Sequence, residues 1–513
     1  MLERSCLSEP RYSSAATWLS SRELLSLGVA GFAWLWVVAR ACVQAITIDE
    51  ADTYLMWVAP DGHSPWSAAS NNHVLNSLLM RVSTSVFGPC NFTLRAPAIL
   101  GALIYIACAY WLCRMITRRL VVRLPLFICI VYNPFVMDYL VAARGYSLAA
   151  AFLVSGVTIA AYRNRMKVTP HAAAQTCGWC SACLSLSFAA NFAFAFAALS
   201  VMALIGIWTW LLIPPRMRHE RLRLLTACVL PGLASGFLFS IPVAAVWPRT
   251  ELVYGTKSLG VTIKSVIAAS LYRPNPLVLN PWLYRAAEFL KPWLFPALGA
   301  VFIWRLAVLT LDRPAMDDEH TRWLVALGTI AAGSALLTLG MHRLLYRLTH
   351  ILIPMDRTAL FLAPLCMLAV GAAAAIPANT RQSATCRRSL IALMMLVASY
   401  FIGCMRLSYF KEWYWDADTN RIYSILSYYN HKEGITDICT TWMCTSALNY
   451  YRQLSGRETF PPFVSDPGHF PPGKPIYVFF EPNDNDAVLG RNHLRIIYEG
   501  PVSHIAVAVR PEL

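Results

Sequence analysis

The sequence predicts an all-α polytopic membrane protein with a small extracytoplasmic α/β domain at its carboxyl end. Three observations lead there. Of 513 residues, 57% are hydrophobic and only 14% charged, a balance that ordinary soluble domains do not keep. Apolar segments recur between Leu24 and Met405, about eleven in all, most of them long enough to cross a bilayer. After Met405 the pattern changes, and short β-branched and aromatic runs alternate with helix-like stretches.

Residues 1–20 carry Arg4 and Arg11 but no apolar core, so the first apolar segment, Leu24–Val43, is expected to be a retained anchor behind a cytoplasmic amino-terminal stretch, 1–23. Directly after it, Asp49, Glu50 and Asp52 bring three carboxylates into four residues. Such a cluster is too costly to bury in hydrocarbon and is expected at the membrane–water boundary. Leu75, Leu78, Leu79, Val82 and Val86 then fall at helical spacing, with Asn72 and Asn76 four apart on another face and His73 beside them. That pattern reads as an amphipathic helix on the membrane, carrying polar groups next to the acids.

The remaining spans are expected at Ala96–Cys113, Leu124–Met137, Ser147–Tyr162, Gly178–Ala190, Phe192–Ile213, Leu224–Val246, Pro292–Leu309, Trp323–Leu339, Thr358–Ile376 and Ser389–Met405. Leu124–Met137 and Gly178–Ala190 are short, which is tolerated where a segment lines a cavity. The module thus runs over 24–405, with its first outer loop at 44–95. Arginines cluster in alternate loops, at Arg114, Arg118, Arg119 and Arg123, at Arg163 and Arg165, at Arg216, Arg218, Arg221 and Arg223, and at Arg381, Arg387 and Arg388. Positive loops stay inside, so the amino terminus is expected in the cytoplasm, and residues 44–95 and the carboxyl terminus outside. The long connection from Trp247 to Lys291 holds cations too, but long loops weigh little in that rule. The net charge of +15 is therefore read as topology and not as a nucleic-acid surface. Fifteen cysteines lie mostly inside apolar segments with no paired CxxC spacing, which excludes a zinc ribbon and a disulfide scaffold.

The outer connections hold the chemistry. Asp138, Arg144 and Tyr146 stand at the mouth between the third and fourth segments, and Asp356-Arg357-Thr358 opens the tenth. Each half thus offers one Arg to the same side, and a guanidinium suits a phosphate because its planar donor fork stays charged. Each has a plainer reading. The acid cluster could be a helix cap, Asp138 a partner of Arg144, and the two arginines interfacial residues that snorkel. His73 reads as a hydrogen-bonding residue rather than a metal ligand, since no second His stands at ligand spacing.

In the carboxyl domain, 406–513, a polar helix-like run from Glu412 to Lys432 can be capped by Asp418 or Thr419. Strands are expected at Asp437–Trp442, Ile476–Phe480, Leu494–Tyr498 and Ile505–Val509, with a helix at Ser446–Leu454. Cys439 and Cys444 lie within this unit and could pair in an oxidising compartment.

Adjacent acids after a first span, Arg95-Ala96-Pro97, Ala143-Arg144-Gly145-Tyr146 and Pro354-Met355-Asp356-Arg357-Thr358 together resemble the GT-C superfamily of glycosyltransferases. The group they look most like contains the dolichyl-phosphate-mannose protein mannosyltransferases and the lipid A aminoarabinose transferase. The likeness covers 44–160 and 350–365, and the middle only by hydropathy. Where many relatives carry His-Pro-Pro or Lys-Pro-Pro, this chain has Asn72-His73-Val74, so the metal or phosphate contacts of that element do not carry over. The resemblance implies a protein of the bacterial inner membrane that moves a sugar from a polyprenyl-phosphate donor, with inversion, to a lipid, glycan or protein acceptor. It implies Asp49 as the base and Glu50 as a second catalytic residue. Tyr54, Asn72, His73, Asp138, Arg144, Tyr146 and Arg357 would then bind substrate, with a divalent metal ion whose ligands are unassigned. A multi-pass transporter or flippase is the other class to weigh. It would place ionisable groups near the midplane and often repeat its halves, whereas here charges collect at the outer boundary and no repeat is visible.

Overall fold

The computed structural model describes residues 21–67, 69, 71–165, 169–239, 254–312, 318–456, 460–465, 470–490 and 493–513. The first span, α1 (Ser21–Val43), turns through a short corner into α2 (Ile48–Thr53). Helix α2 starts there because Thr47 and Glu50 form a reciprocal capping box: Thr47 Oγ1 accepts the Glu50 N–H at 3.2 Å, and the Glu50 carboxylate accepts the Thr47 N–H at 3.0 Å. It runs on as one π turn, Tyr54–Val58. The expected surface helix follows as α3 (Val74–Phe87), with Asn76 buried on its inner side and Val82, Val86 and Phe87 exposed on its outer one.

The bundle then comprises α4 (Asn91–Ile116), α5 (Leu120–Val131), α6 (Pro134–Val141), α7 (Tyr146–Arg165), α8 (Pro170–Ala190), α9 (Ala195–Leu212) and α10 (Arg218–Phe239). It continues with α11 (Leu259–Ser270), α12 (Pro281–Asp312), α13 (Glu319–Thr349), α14 (Leu362–Ala375) and α15 (Arg381–Gly403). Among the described residues nine helices are long and apolar enough to cross a membrane, and α5 with α6 forms a tenth span bent by 54°. The break falls inside the expected segment Leu124–Met137, because Pro134 cannot continue a helix and Asn133 Oδ1 caps the new one by accepting the Phe135 N–H at 3.0 Å. The eleventh expected segment, Gly178–Ala190, is the end of α8, whose His, Gln and Ser residues keep it out of the apolar set although it packs along α7 and α10. Of the segment expected at Leu224–Val246, α10 accounts for the part up to Phe239, and 240–246 lie outside the described residues.

The carboxyl unit contains α16 (Thr419–Glu433), β1 (Ile438–Thr440), α17 (Trp442–Ser455), β2 (Ile476–Phe480), α18 (Glu481–Val488), β3 (Arg495–Glu499) and β4 (Ile505–Val509). The sheet order is β1-β2-β4-β3, with β1 parallel to β2 and the other pairs antiparallel, Val478 opposite Val507. Strands β2 and β4 are buried on both faces. Ile476, Val478 and Phe480 pack with Ile422, Leu426 and Leu448 of the helices, and Tyr477 and Phe479 pack with Phe470 and Val488 on the other side, so both strands read as continuous apolar runs. The expected strand Asp437–Trp442 is shorter because Thr441 already stands at the N-cap of α17. The helix expected from Glu412 begins only at Thr419, where Asp418 occupies the cap position without a side-chain cap bond and accepts the Ser503 N–H at 3.4 Å instead. Cys439 and Cys444 are both free and buried. Helix α17 lies on α2, so this unit is seated against the acidic loop.

Candidate functional site

Glu50 is the residue around which the loop is fixed. It has no exposed surface, and the Arg95 guanidinium grips both its oxygens, Nε to Oε1 at 2.9 Å and Nη2 to Oε2 at 2.7 Å. The Ala143 N–H donates to Oε1 at 2.7 Å, which ties the Ala143-Arg144-Gly145-Tyr146 element to the loop. Burial pushes the carboxyl pKa up, but Arg95 and these N–H donors outweigh it and hold Glu50 below its ordinary range. With every lone pair engaged, Glu50 has no free edge for a substrate. The helix-cap reading of the acid cluster therefore falls to Glu50.

Asp49, one residue earlier, points elsewhere. Its Oδ2 is buried without a hydrogen bond, 3.3 Å from Arg357 Nη1 and 3.8 Å from Arg144 Nε. The structure thus brings together an acid from the first connection and the arginines of both distant elements. Arg144 is 2% exposed and heavily committed. Nη1 donates to Thr53 Oγ1 at 2.6 Å and to the Asp49 carbonyl at 3.2 Å, and Nη2 donates to Asn71 Oδ1. Its neighbour must be glycine: Gly145 has φ +74°, and a Cβ there would strike the Ala190 carbonyl. Arg357 is more open, with a fifth of its side chain exposed and its guanidinium 4.9 Å from the Tyr254 ring and 5.9 Å from that of Trp413. The preceding Asp356 is held at φ 45°, a left-handed conformation costly for a side-chain residue, and its N–H is fixed by Ser265 Oγ at 2.8 Å.

Glu412 completes the cluster and was not singled out from the sequence. It pairs with Arg357 through Oε1 and accepts the Tyr139 hydroxyl on Oε2. Burial lifts its carboxyl above the ordinary range, against the pull of Arg357 and with a further push from Asp49. The available signal was an acid directly after the last span, framed by Lys411 and Trp413. Beside it lies a cavity of about 270 Å³ lined by Phe135, Tyr139, Tyr254, Tyr272, Asp356 and Lys411, among others. Asp416 was missed too. It is 2% exposed and its Oδ2 accepts the Ile48 N–H at 2.8 Å, at the head of α2. Burial drives this carboxyl well above its ordinary range, and the neighbouring Asp49, Glu50 and Asp52 add to the effect.

The other expected residues divide. His73 is buried, with Nε2 3.4 Å from Asn191 Nδ2 and its ring 5.8 Å from that of Tyr146. Burial, with Arg144 and Arg357 nearby, holds its pKa well below the usual histidine range, so it is neutral. Tyr146 also stacks edge-on to Tyr139 at 4.8 Å, which places both at the floor of the cluster. Asn72 serves the loop instead: Nδ2 donates to the Pro65 and Ser67 carbonyls at 2.7 and 2.8 Å, and Oδ1 accepts Ser77 Oγ at 2.9 Å. Tyr54 turns to the carboxyl unit, its ring 5.3 Å from that of Tyr450. Asp138 pairs not with Arg144 but with Arg40, at 2.6 Å, and also accepts the Tyr272 hydroxyl and the Lys411 N–H. Arg40, an Arg inside the first apolar segment, was the overlooked signal for that partner. Asn72 and Asp138, expected to touch substrate, thus make several hydrogen bonds within the protein, and Asp138 also lines the cavity beside Glu412, while Tyr54 is 4% exposed.

Among the described residues no three His, Cys, Asp or Glu side chains meet in an arrangement that could hold a metal ion. The cluster alternates acids with guanidiniums, so a divalent cation does not fit it.

No known family model matches the chain, and no curated protein sequence matches it. Among solved structures, the chain is similar to ArnT from Cupriavidus metallidurans bound to undecaprenyl phosphate, at 10% identity and a TM-score of 0.41, covering 94% of this chain and 97% of that one. The apo form of the same protein matches over the same shares at 11% identity and a TM-score of 0.40.

Proposed function

We propose that this protein is an integral-membrane glycosyltransferase that moves a sugar from a polyprenyl-phosphate donor to an acceptor hydroxyl, with inversion. One observation carries the reading. A carboxylate oxygen without a hydrogen bond, on Asp49, stands between two guanidiniums from remote parts of the chain, at the end of the bundle that the carboxyl unit covers. That end is the outer one under the positive-inside tendency, and the bacterial inner membrane is the setting that the motif resemblance implies.

In this scheme Asp49 takes the proton of the acceptor hydroxyl as its oxygen attacks the anomeric carbon, and the bond from that carbon to the phosphate oxygen breaks. Charge develops on the departing phosphate, where a fixed cation stabilises the transition state more than the ground state. Arg357 is the group for this, since it is the more exposed of the two and its present anionic partner, Glu412, is a carboxylate that a phosphate can replace. Arg144 acts through its grip on the Asp49 backbone and on Thr53. The polyprenyl tail needs an apolar path, which the helices beside the aromatic cavity supply. The acceptor class, lipid, glycan or protein, is open in this proposal, and no step passes through a metal ion.

The test is transfer from a labelled polyprenyl-phosphate sugar by purified protein in lipid. Asp49→Asn keeps the size of the side chain, so the variant is expected to elute as a single folded species with transfer reduced by about a hundredfold or more. A folded and fully active Asp49→Asn protein would overturn the assignment. Movement of the intact donor across the bilayer without cleavage would favour the transporter reading instead.

A further inference from the structure

We infer that the opposite end of the bundle holds a binding site for the headgroup of an anionic phospholipid. A cavity of about 540 Å³ lies where α1, α4 and α7 reach that end, lined by Glu23, Trp111, Arg114, Arg118, Tyr162 and Arg165, among others. Its charge is unbalanced, with three guanidiniums against one carboxylate. Glu23 already accepts Arg123 Nη1 at 2.9 Å and the Tyr110 hydroxyl at 3.0 Å, and stands 3.9 Å from Arg114. Arg165 is anchored, donating to the Met115 carbonyl at 2.7 Å with its guanidinium 5.3 Å from the Trp323 ring. Arg118 is exposed and forms no ion pair among the described residues. A site with this excess draws a multiply bonded anion such as a phosphate.

The aromatic side chains decide for a lipid over a soluble anion. Trp111 and Tyr162 are 49% and 50% exposed on the flanks of two spans, one turn from the arginines, and the Arg114 guanidinium lies 5.2 Å from the Trp111 ring. Indole and phenol rings at that height mark the level where headgroup meets acyl chain. A phosphate between Arg114 and Arg118 would leave its acyl chains running along Trp111 and Tyr162, which free phosphate has no use for. Basic pockets between spans are of the kind that hold anionic headgroups. This inference is independent of the transfer reaction at the other end.

Full-length protein in phosphatidylcholine nanodiscs, with and without phosphatidylglycerol, provides the measurement: phosphatidylglycerol retained per protein by native mass spectrometry. Retention is expected to weaken about fivefold for each guanidinium removed in Arg114→Gln and Arg118→Gln, singly and combined. Arg381→Gln, on another arginine-bearing segment of the same end, is expected to leave it unchanged. Wild-type retention in the double variant would overturn the site, as would an equal loss in Arg381→Gln. Inorganic phosphate that stabilises the protein in pure phosphatidylcholine as well as phosphatidylglycerol does would overturn the lipid as ligand. Should the double variant fail to fold, the exposed Arg118→Gln alone decides, and unchanged retention there rejects the inference.

Discussion

Arg144 and Arg357 look interchangeable in the sequence, yet their surroundings give them different partners. Arg144 spends its fork on Thr53, Asn71 and the Asp49 carbonyl, whereas Arg357 meets Asp49 and Glu412 from a more open position. If Arg357 receives the donor phosphate, Arg357→Lys keeps the charge but loses the planar fork, and the donor KM is expected to rise about tenfold or more. Arg144→Lys is expected to lower kcat with little change in donor KM, because it disturbs the base and not the phosphate. Steady-state kinetics with varied donor separate the two, and matching effects in both variants would reject the division of roles. Glu412 sets a further expectation. If Arg357 takes the donor phosphate, the Glu412 carboxylate paired with it competes for the same guanidinium, so Glu412→Gln is expected to lower the donor KM severalfold. Its carboxyl titrates above the ordinary range, so protonation on acidification should lower the wild-type KM too, while the Gln variant stays flat. A Gln variant with a raised KM would make Glu412 a substrate contact instead.

At the scale of elements, α2 is a six-residue helix that could not stand by itself. It is fastened from four sides: by the Thr47 cap, by Arg95 of α4 on Glu50, by the Ala143 N–H, and by Asp416 on the Ile48 N–H. The residue behind the last fastening makes stability pH-dependent, not through the Ile48 bond, which favours the carboxylate, but because its charged form is buried beside three other acids. Asp416 has a raised folded-state pKa, so its contribution is fully present below the ordinary carboxylate range and is lost as pH rises through the folded value. Asp416→Asn resembles the protonated form and keeps an acceptor for Ile48. The difference in thermal midpoint, variant minus wild type, is therefore expected to grow in favour of the variant between pH 5 and pH 8. A difference independent of pH would show that Asp416 does not titrate in that interval.

For the whole molecule, the acids and the arginine-rich loops lie at opposite ends, with Glu23, Arg114 and Arg123 joined at one end and Asp49, Arg357 and Glu412 at the other. Arginine-rich loops stay in the cytoplasm, so reporter fusions before Ser21 and after Gly403 are expected to report opposite faces, the second one outside. Both fusions reporting one face would reverse or break this orientation and move the proposed site to the wrong side of the membrane. The seat of the carboxyl unit on α2, through Tyr450 against Tyr54 and the Tyr451 hydroxyl taking the Ile46 N–H at 3.1 Å, makes this unit part of the proposed site's support.

What the sequence determined by itself are the properties that local pattern governs. Ten of the eleven expected segments are present as apolar spans or as the bent pair, since hydropathy needs only composition over about twenty residues. Strands β2 and β4 fall where their apolar runs predict them. The acid and the two arginines were legible as types at a boundary, because charge beside a span is costly without a purpose. Tertiary structure alone decided the partners. Arg40 rather than Arg144 takes Asp138, Arg95 takes Glu50, and Glu412 and Asp416 join from the far end of the chain, 368 residues from α2 in the case of Asp416. A pairing energy depends on distance in space and on desolvation, neither of which spacing along a chain records.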